Sequence, residues 1–230
     1  MPVTVVGDGA LGYKFITDFD AVLVPVSSGL TDLSWFKDVR RAYISFSLAD
    51  ENQELTLEAG KRYSIVLSTV NGMNVEIPSF TIGIDTLDIE YQMYGNDSIA
   101  LKNKSVISIN KDSSNPCYVQ NGYLNITPSF AYDPYKMVYM LLYYDSEKDI
   151  DVANKQVSLN FYFNNDIQYP TSEITSFISM KIPENIYYQL SDGGMFPQDS
   201  LEVIFKVNTS NGLESVSCKT TMEDLLIPSY

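Results

Sequence analysis

Alternation of apolar and polar residues is the pattern that most restricts how this chain can fold. It is clear in TLDIEYQMY at residues 86–94, and it recurs in VSLNFYF at 157–163 and in LEVIFKV at 201–207. A period of two places apolar side chains on one face of a β-strand, whereas a helix needs a period near 3.6. The sequence therefore predicts a chain built mainly of amphipathic strands.

Turn signals agree with antiparallel strands. Asn-Gly pairs stand at residues 71–72, 121–122 and 211–212, each between strand-like runs. Tight hairpin turns need positive φ at both central residues, which Asn and Gly tolerate. Helical patterns are short, and the segments that could form a turn or two are TDLSWFKDVRR at 31–41, TSEITSF at 171–177 and TTMEDLL at 220–226.

These patterns predict an all-β fold of two antiparallel, immunoglobulin-like β-sandwich domains with one or two short helices. A sandwich of this type takes about 100 residues, so the 230 residues suit two of them. Prolines and an acidic run interrupt the pattern between residues 125 and 151. We place an N-terminal sandwich at residues 1–127 and a C-terminal sandwich at residues 128–230.

A glycine motif near the N-terminus raises the question of nucleotide binding. Gly7, Gly9 and Gly12 have the spacing G-x-G-x-x-G within VTVVGDGALGYKF. A dinucleotide site also requires a helix after the motif and an acidic residue at the end of a second strand. Here aromatic and β-branched residues follow, and Pro25 interrupts the would-be second strand. The motif predicts a turn between two strands, and no cofactor is expected.

Composition excludes several classes of chemistry and of partner. The chain has no histidine, so it cannot use histidine general bases, Ser-His-Asp triads or histidine metal ligands. Its formal net charge of −14 disfavours nucleic acids and anionic membranes. No secretory signal pattern stands at the start, so a reducing compartment is expected. Cys117 and Cys218 are then two buried free thiols, with a single disulfide between them as the alternative.

An acidic run at residues 145–151 could suit calcium, which prefers carboxylate ligands at alternate positions. The EF-hand pattern fails, because its sixth position is Ile150 rather than Gly and its twelfth is Gln156 rather than Glu. The run therefore predicts a solvated loop, and no metal site is expected.

Tyrosines are the strongest candidates for an interaction surface, because a tyrosine buries a large area and keeps a polar tip. The alternative is that many of the 17 tyrosines are ordinary strand residues. The candidate interface residues are Tyr132, Tyr135, Tyr139, Tyr143, Tyr144, Tyr187 and Tyr188.

Two resemblances bear on function. NGYLNITPSFAYDPYKMVYMLLYYD at 121–145 and SLNFYFNNDIQYP at 158–170 resemble in character the virion structural proteins of tailed bacteriophages. LTLEAGKRYSIVL at 55–67 is similar to a strand entry of bacterial fimbrillin-like sandwich proteins. The first resemblance implies a virion location after assembly in the host cytoplasm. The second implies a surface protein.

The function predicted from the sequence is that of a non-enzymatic virion component, such as a capsid accessory protein, a head fibre, or a tail or baseplate protein. It would bind copies of itself and other virion proteins through apolar, Tyr-rich sheet faces, in a homo-oligomer or a mixed assembly. The alternative is a bacterial surface adhesin or glycan-binding module, with tyrosines and Trp35 as stacking platforms. A hydrolase that uses paired carboxylates ranks last.

Overall fold

The chain is mostly β. A computed structural model of it describes residues 1–8, 12–26, 33–37, 39–50, 56–68, 75–76, 79–80, 83–85, 103–109, 116–133, 135, 138–165 and 172–228. Strands make up 55 % of the structure and form several sheets, one of them curled into half a barrel. The all-β fold class is thus confirmed. Backbone contacts divide the chain into an N-terminal unit, residues 1–79, and a C-terminal unit, residues 80–228.

The N-terminal unit contains one seven-stranded sheet. Its strands are β1 (Pro2–Asp8), β2 (Gly12–Thr17), β3 (Val22–Pro25), β4 (Arg41–Tyr43), β5 (Phe46–Leu48), β6 (Arg62–Leu67) and β7 (Val75–Glu76). Their order across the sheet is β5-β6-β3-β2-β1-β4-β7. The helix predicted at residues 31–41 is a 3-10 helix over Leu33–Lys37. Its Phe36 ring packs on Phe15 of β2, with centroids 4.7 Å apart.

Two glycines of the N-terminal motif, Gly7 and Gly12, lie on paired antiparallel strands. β1 pairs with β2 from Val3↔Thr17 to Asp8↔Gly12. A dinucleotide-binding turn requires a helix after the first strand, and here the residues after Gly12 form a second strand in the same sheet. The described residues on both sides of the motif's centre are therefore paired strands of one sheet.

A buried arginine links three strand regions of the N-terminal unit. Arg41 is 0 % exposed. Its guanidinium donates to both carboxylate oxygens of Asp18, at 2.6 and 2.9 Å, and to the hydroxyl of Thr4 at 3.0 Å. This bidentate ion pair matches the planar geometry of the guanidinium. Its favourable energy offsets the free-energy cost of removing water from both charges.

The C-terminal unit contains the remaining strands, one α-helix and a 3-10 helix at Glu223–Leu225 among its described residues. The strands are β8 (Ser79–Phe80), at the boundary, β9 (Gly83–Asp85), β10 (Ser108–Ile109), β11 (Cys117–Gln120), β12 (Tyr123–Ile126), β13 (Pro128–Tyr132), β14 (Tyr139–Tyr144), β15 (Ile150–Asp151), β16 (Gln156–Asn164), β17 (Ser172–Thr175), β18 (Ile178–Lys181), β19 (Ser200–Thr209) and β20 (Gly212–Thr221). The α-helix, α1, is Glu184–Asp192.

These strands form three sheets around one hydrophobic core. A six-stranded sheet has the order β20-β19-β16-β14-β9, with β15 paired to β16, and a four-stranded sheet has the order β11-β12-β18-β8. A three-stranded sheet has the order β10-β13-β17. Apolar side chains from all three sheets and from α1 share the core. Alternate side chains of β16 and β19 form the centre of this core, because the residues on the inner face of both strands are nearly all buried.

The sheets differ from the sequence prediction in strand direction. The prediction of purely antiparallel pairing is wrong at β3–β6, β9–β14 and β16–β19, which pair in parallel. Parallel partners are joined by long connections, which local turn signals do not reveal. Residues 171–177, expected to be helical, instead contain β17, which pairs with β13. The patterned stretch at 86–94 and the Asn-Gly pair at 71–72 lie outside the described residues.

The units do not follow the domain boundary drawn from the sequence. That boundary, between residues 127 and 128, falls between β12 and β13 inside the C-terminal unit. The description of the two parts as folding domains stays a prediction, as does the immunoglobulin-like sandwich.

The hairpin turn at residues 121–122 has the geometry that its sequence predicts. Asn121 and Gly122 have φ of 53° and 78° and join β11 to β12. A Cβ atom at Gly122 would lie 2.8 Å from the backbone nitrogen of Ile227 and 3.0 Å from the carbonyl carbon of Leu226. The turn therefore needs glycine both for its backbone conformation and for the close approach of the C-terminal segment.

We expect Arg41→Met to lower the free energy of unfolding of the N-terminal unit by about 3–5 kcal/mol, because it leaves the Asp18 carboxylate buried without its cation. Urea denaturation followed by tryptophan fluorescence measures the change. The matched control is Arg62→Met on β6, where the arginine is exposed. Equal losses for the two variants would contradict a special role for the buried pair.

We expect Gly122→Ala to cost about 2–5 kcal/mol, from the left-handed φ and from the clash with residues 226–227. Gly194→Ala is the control, because Gly194 also has positive φ, at 94°, and has open space around its Cβ position. Thermal denaturation of both variants separates the two causes. A melting temperature no lower for Gly122→Ala than for Gly194→Ala would rule out the clash.

Candidate interaction surface

The α1 helix forms because its segment combines helix start and stop signals with a buried apolar pair. Pro183 stands at the N-cap and Glu184 in the first turn, where the helix dipole favours a carboxylate. Ile186 and Leu190 are one turn apart and 0 % exposed, so they fix one helix face against the core. At the other end, the N–H of Gly193 donates to the carbonyl oxygen of Gln189 at 3.0 Å.

Three aromatic side chains lie on this helix or four residues after its end, and we refer to them together as the helix aromatic surface: Tyr187, Tyr188 and Phe196. Tyr187 packs partly against the core. Its ring meets that of Tyr188 edge to face, with centroids 5.7 Å apart and an angle of 88°. Tyr188 is 54 % exposed and Phe196 is 64 % exposed. Large apolar rings this exposed are available to a partner.

The backbone at Phe196 is held on both sides of the residue. The preceding residue, Met195, is 5 % exposed. The N–H of Phe196 donates to the carboxylate of Asp199 at 2.8 Å, and its carbonyl accepts from the N–H of Asp199 at 2.9 Å. The hydrogen bond from the Phe196 N–H is the main cause that lowers the pKa of Asp199 below its ordinary value, and an ion pair with Lys155 at 3.1 Å is the second. The exposed ring therefore projects from a fixed backbone, which reduces the entropy lost on binding.

The tyrosines predicted as an interface do not form one group. Tyr132 is half-buried on β13, and Tyr135 is 92 % exposed in a turn. Tyr139 begins β14, and its side chain lies outside the described residues. Tyr143 is half-buried further along that strand, and Tyr144 is 1 % exposed in the core. Adjacent strand residues point to opposite faces, which separates the last two. The interface itself stays a prediction.

Phe196 and the helix that precedes it are features that the sequence analysis missed. The signal was present, since Ile186 and Leu190 have helical spacing between Pro183 and a glycine pair. From residue type alone, Tyr187 and Tyr188 are a pair with no element to hold them. The structure places both tyrosines on α1, and the exposed Phe196 follows four residues after the helix ends.

The acidic run forms a hydrogen-bonded loop. Asp145 pairs with Lys148 at 2.6 Å, and this contact is the main reason that the pKa of Asp145 is lowered. Asp149 accepts from the N–H of Asp145 at 3.0 Å and from the amide of Asn160 at 3.1 Å, and it lies 3.5 Å from Lys206. Across the part of the chain that the structure describes, no group of three acidic or cysteine side chains is placed to hold a metal ion. Nor does any described helix have the length and apolar character needed to cross a membrane.

Comparison with known proteins gives likeness at the level of fold. No protein-family model matches the chain, and no curated protein matches it. Among solved structures, it is similar to a proposed toxin-related protein of Parabacteroides distasonis, with 15 % identity and a TM-score of 0.63. That match covers 97 % of this chain and 93 % of the other.

Two further solved structures share the fold over nearly the full length of both chains. A proposed lipoprotein of Bacteroides fragilis is 13 % identical, covers 96 % of each chain and has a TM-score of 0.63. A NigD-like immunity protein of Bacteroides caccae is 13 % identical, covers 96 % of this chain and 94 % of the other, and has a TM-score of 0.56. Identities this low establish a shared architecture and transfer no residue role.

These findings overturn the phage interpretation. The resemblance to virion proteins, the capsid or tail function and the virion location are wrong, because the matching structures belong to Bacteroidales proteins described as toxin-related, lipoprotein or immunity proteins. The tyrosines in the strands that suggested a virion protein are explained by the β-rich fold, in which tyrosine is a common strand residue. The bacterial surface interpretation, held as the alternative, fits the comparisons better.

Proposed function

We propose that this chain is a non-enzymatic binding module of a bacterial cell surface and that the helix aromatic surface contacts its partner. The observation that supports this most is the exposure of Tyr188 and Phe196, at 54 % and 64 %, on a fixed backbone. Burying exposed rings of this size contributes about 1–3 kcal/mol each to binding. The likeness to a proposed lipoprotein of Bacteroides fragilis supports a cell-associated location.

A binding role, rather than catalysis, is supported by the uses of the acidic groups. The chain has no histidine to act as a general base near neutral pH. Asp145, Asp149 and Asp199 are engaged by lysines and backbone N–H groups, which lower the pKa of Asp145 and of Asp199. Carboxylates tied into turns in this way are poorly suited to proton transfer, which needs a pKa closer to the working pH.

We further propose that the C-terminal unit is a β-sandwich. Side chains of β11, β12 and β18 in one sheet share a core with those of β14, β16 and β19 in another. Such a core between two sheets provides a rigid support for α1, whose Ile186 and Leu190 belong to it.

A protein with positive surface charge is the partner that we favour. The chain has a formal net charge of −14, which steers a cationic surface towards it and accelerates association. One structure that shares the fold is described as a NigD-like immunity protein of Bacteroides caccae. A glycan is the second candidate, because exposed rings stack on sugars and the exposed Gln189 on the same helix can hydrogen-bond hydroxyl groups.

Protease treatment of intact cells of the source organism tests the location. We expect the chain to be cleaved from outside while a cytoplasmic marker protein remains whole. Full protection of the chain on intact cells, with cleavage after lysis, would contradict a surface location.

Binding is tested with the purified chain on intact cells and on a glycan array. We expect the double variant Tyr188→Ser/Phe196→Ser to bind cells at least about tenfold more weakly, as for residues at the centre of an interface. Leu213→Ser is the matched control, because Leu213 is a 72 % exposed apolar residue on β20. Equal binding by wild type and double variant would contradict the assigned surface. Signals on the array that the variant loses would favour the glycan.

A further inference from the structure

The only two cysteines of the chain meet between two sheets of the C-terminal unit. Cys117 begins β11 of the four-stranded sheet, opposite Ile126. Cys218 lies on β20 of the six-stranded sheet, opposite Val203. β11 and β20 pack against each other. Cys117 is 3 % exposed and Cys218 is half-buried against the same core, so both thiols face the space between the sheets.

The thiol groups of the two cysteines contact each other. The thiol of Cys218 is within hydrogen-bonding reach of the Cys117 thiol and of the backbone N–H of Val119. Cys117 and Val119 are alternate residues of β11 and are both buried, so they share the face that Cys218 approaches. The contact with Cys218 lowers the pKa of Cys117, and the same contact, followed by burial, raises the pKa of Cys218.

We propose that Cys117 and Cys218 form a disulfide that joins these two sheets when a low-molecular-weight disulfide reaches the chain. They are free thiols in the structure, side by side and already facing each other. This inference is independent of the proposed binding surface, because neither cysteine belongs to it.

The reaction is two successive thiol–disulfide exchanges. One cysteine, as its thiolate, attacks one sulfur of the small disulfide and expels one small thiolate. The other cysteine loses its proton to that thiolate, attacks the cysteine sulfur of the mixed disulfide and expels the second small thiolate. The two cysteines lose two protons and two electrons in total, and the small disulfide is reduced to two thiols.

The bond closes a long loop, residues 117–218, and a cross-link of that length restricts the unfolded chain strongly. It would also hold the hairpin of β11 and β12 against β20. We expect oxidation to raise the melting temperature of the chain by about 5–15 °C.

The full chain is incubated with oxidised or with reduced glutathione, then unfolded and alkylated. Mass spectrometry then measures the mass of the intact protein. We expect oxidised glutathione to give a monomer without alkylated cysteines, lighter by two hydrogens, and a digest in which the peptides of Cys117 and Cys218 are joined. Two alkylated cysteines, a stable glutathione adduct or a disulfide-linked dimer would each overturn the proposal.

Thermal melting provides a second measurement with its own controls. Cys117→Ser and Cys218→Ser keep a small polar side chain, and we expect their melting temperatures not to rise with oxidised glutathione. Wild type that shows no rise either would overturn the predicted effect of the bond. In reduced glutathione the cysteines of wild type and variants remain thiols. The change in melting temperature caused by each substitution alone is measured in that condition and subtracted.

Discussion

Burial of one face of the paired strands β16 and β19 is the interaction on which the C-terminal unit depends. The inward residues Val157, Leu159, Phe161, Val203 and Phe205 are all 0–2 % exposed. A one-residue slip of either strand would turn its whole apolar set towards the outer face of the sheet. The register of the sheet, the position of β20 beside β19 and the core that receives α1 therefore all follow from this single pairing.

Local features of this fold could be predicted from the sequence, and long-range ones could not. Alternation located β16 and β19, and the Asn-Gly signal located the turn after β11, since both depend on neighbouring residues. The parallel pairing of β16 with β19 depends on packing between distant segments, which no local pattern encodes. The segment TSEITSF shows the same limit, because pairing with β13 made it the strand β17 despite its helical pattern.

The candidate surface was only partly predicted, because residue type identifies a tyrosine but does not say which element holds it. Tyr187 and Tyr188 were singled out by residue type, but their helix and the neighbouring Phe196 were not. Residue type also grouped Tyr143 with Tyr144, although the pleat of β14 sends them to opposite faces. Whether a tyrosine is core or surface is decided by the register of its strand. The fold thus separates residues that composition alone treats as equivalent, and it relates the chain to bacterial proteins rather than to virion components.

The parallel edge of the six-stranded sheet has a consequence for how the chain is made. β9, at residues 83–85, takes its hydrogen-bonding partner from residues 142–144 of β14, and β16 takes one of its partners from β19. A ribosome releases β9 well before it has translated β14, so this edge has no partner during that interval. Long-range pairings of this kind also fold slowly, because the intervening loop must close first. The C-terminal unit therefore reaches its native state only after β19 and β20 have been translated, and until then the nascent chain exposes strands that a chaperone or an export channel can hold.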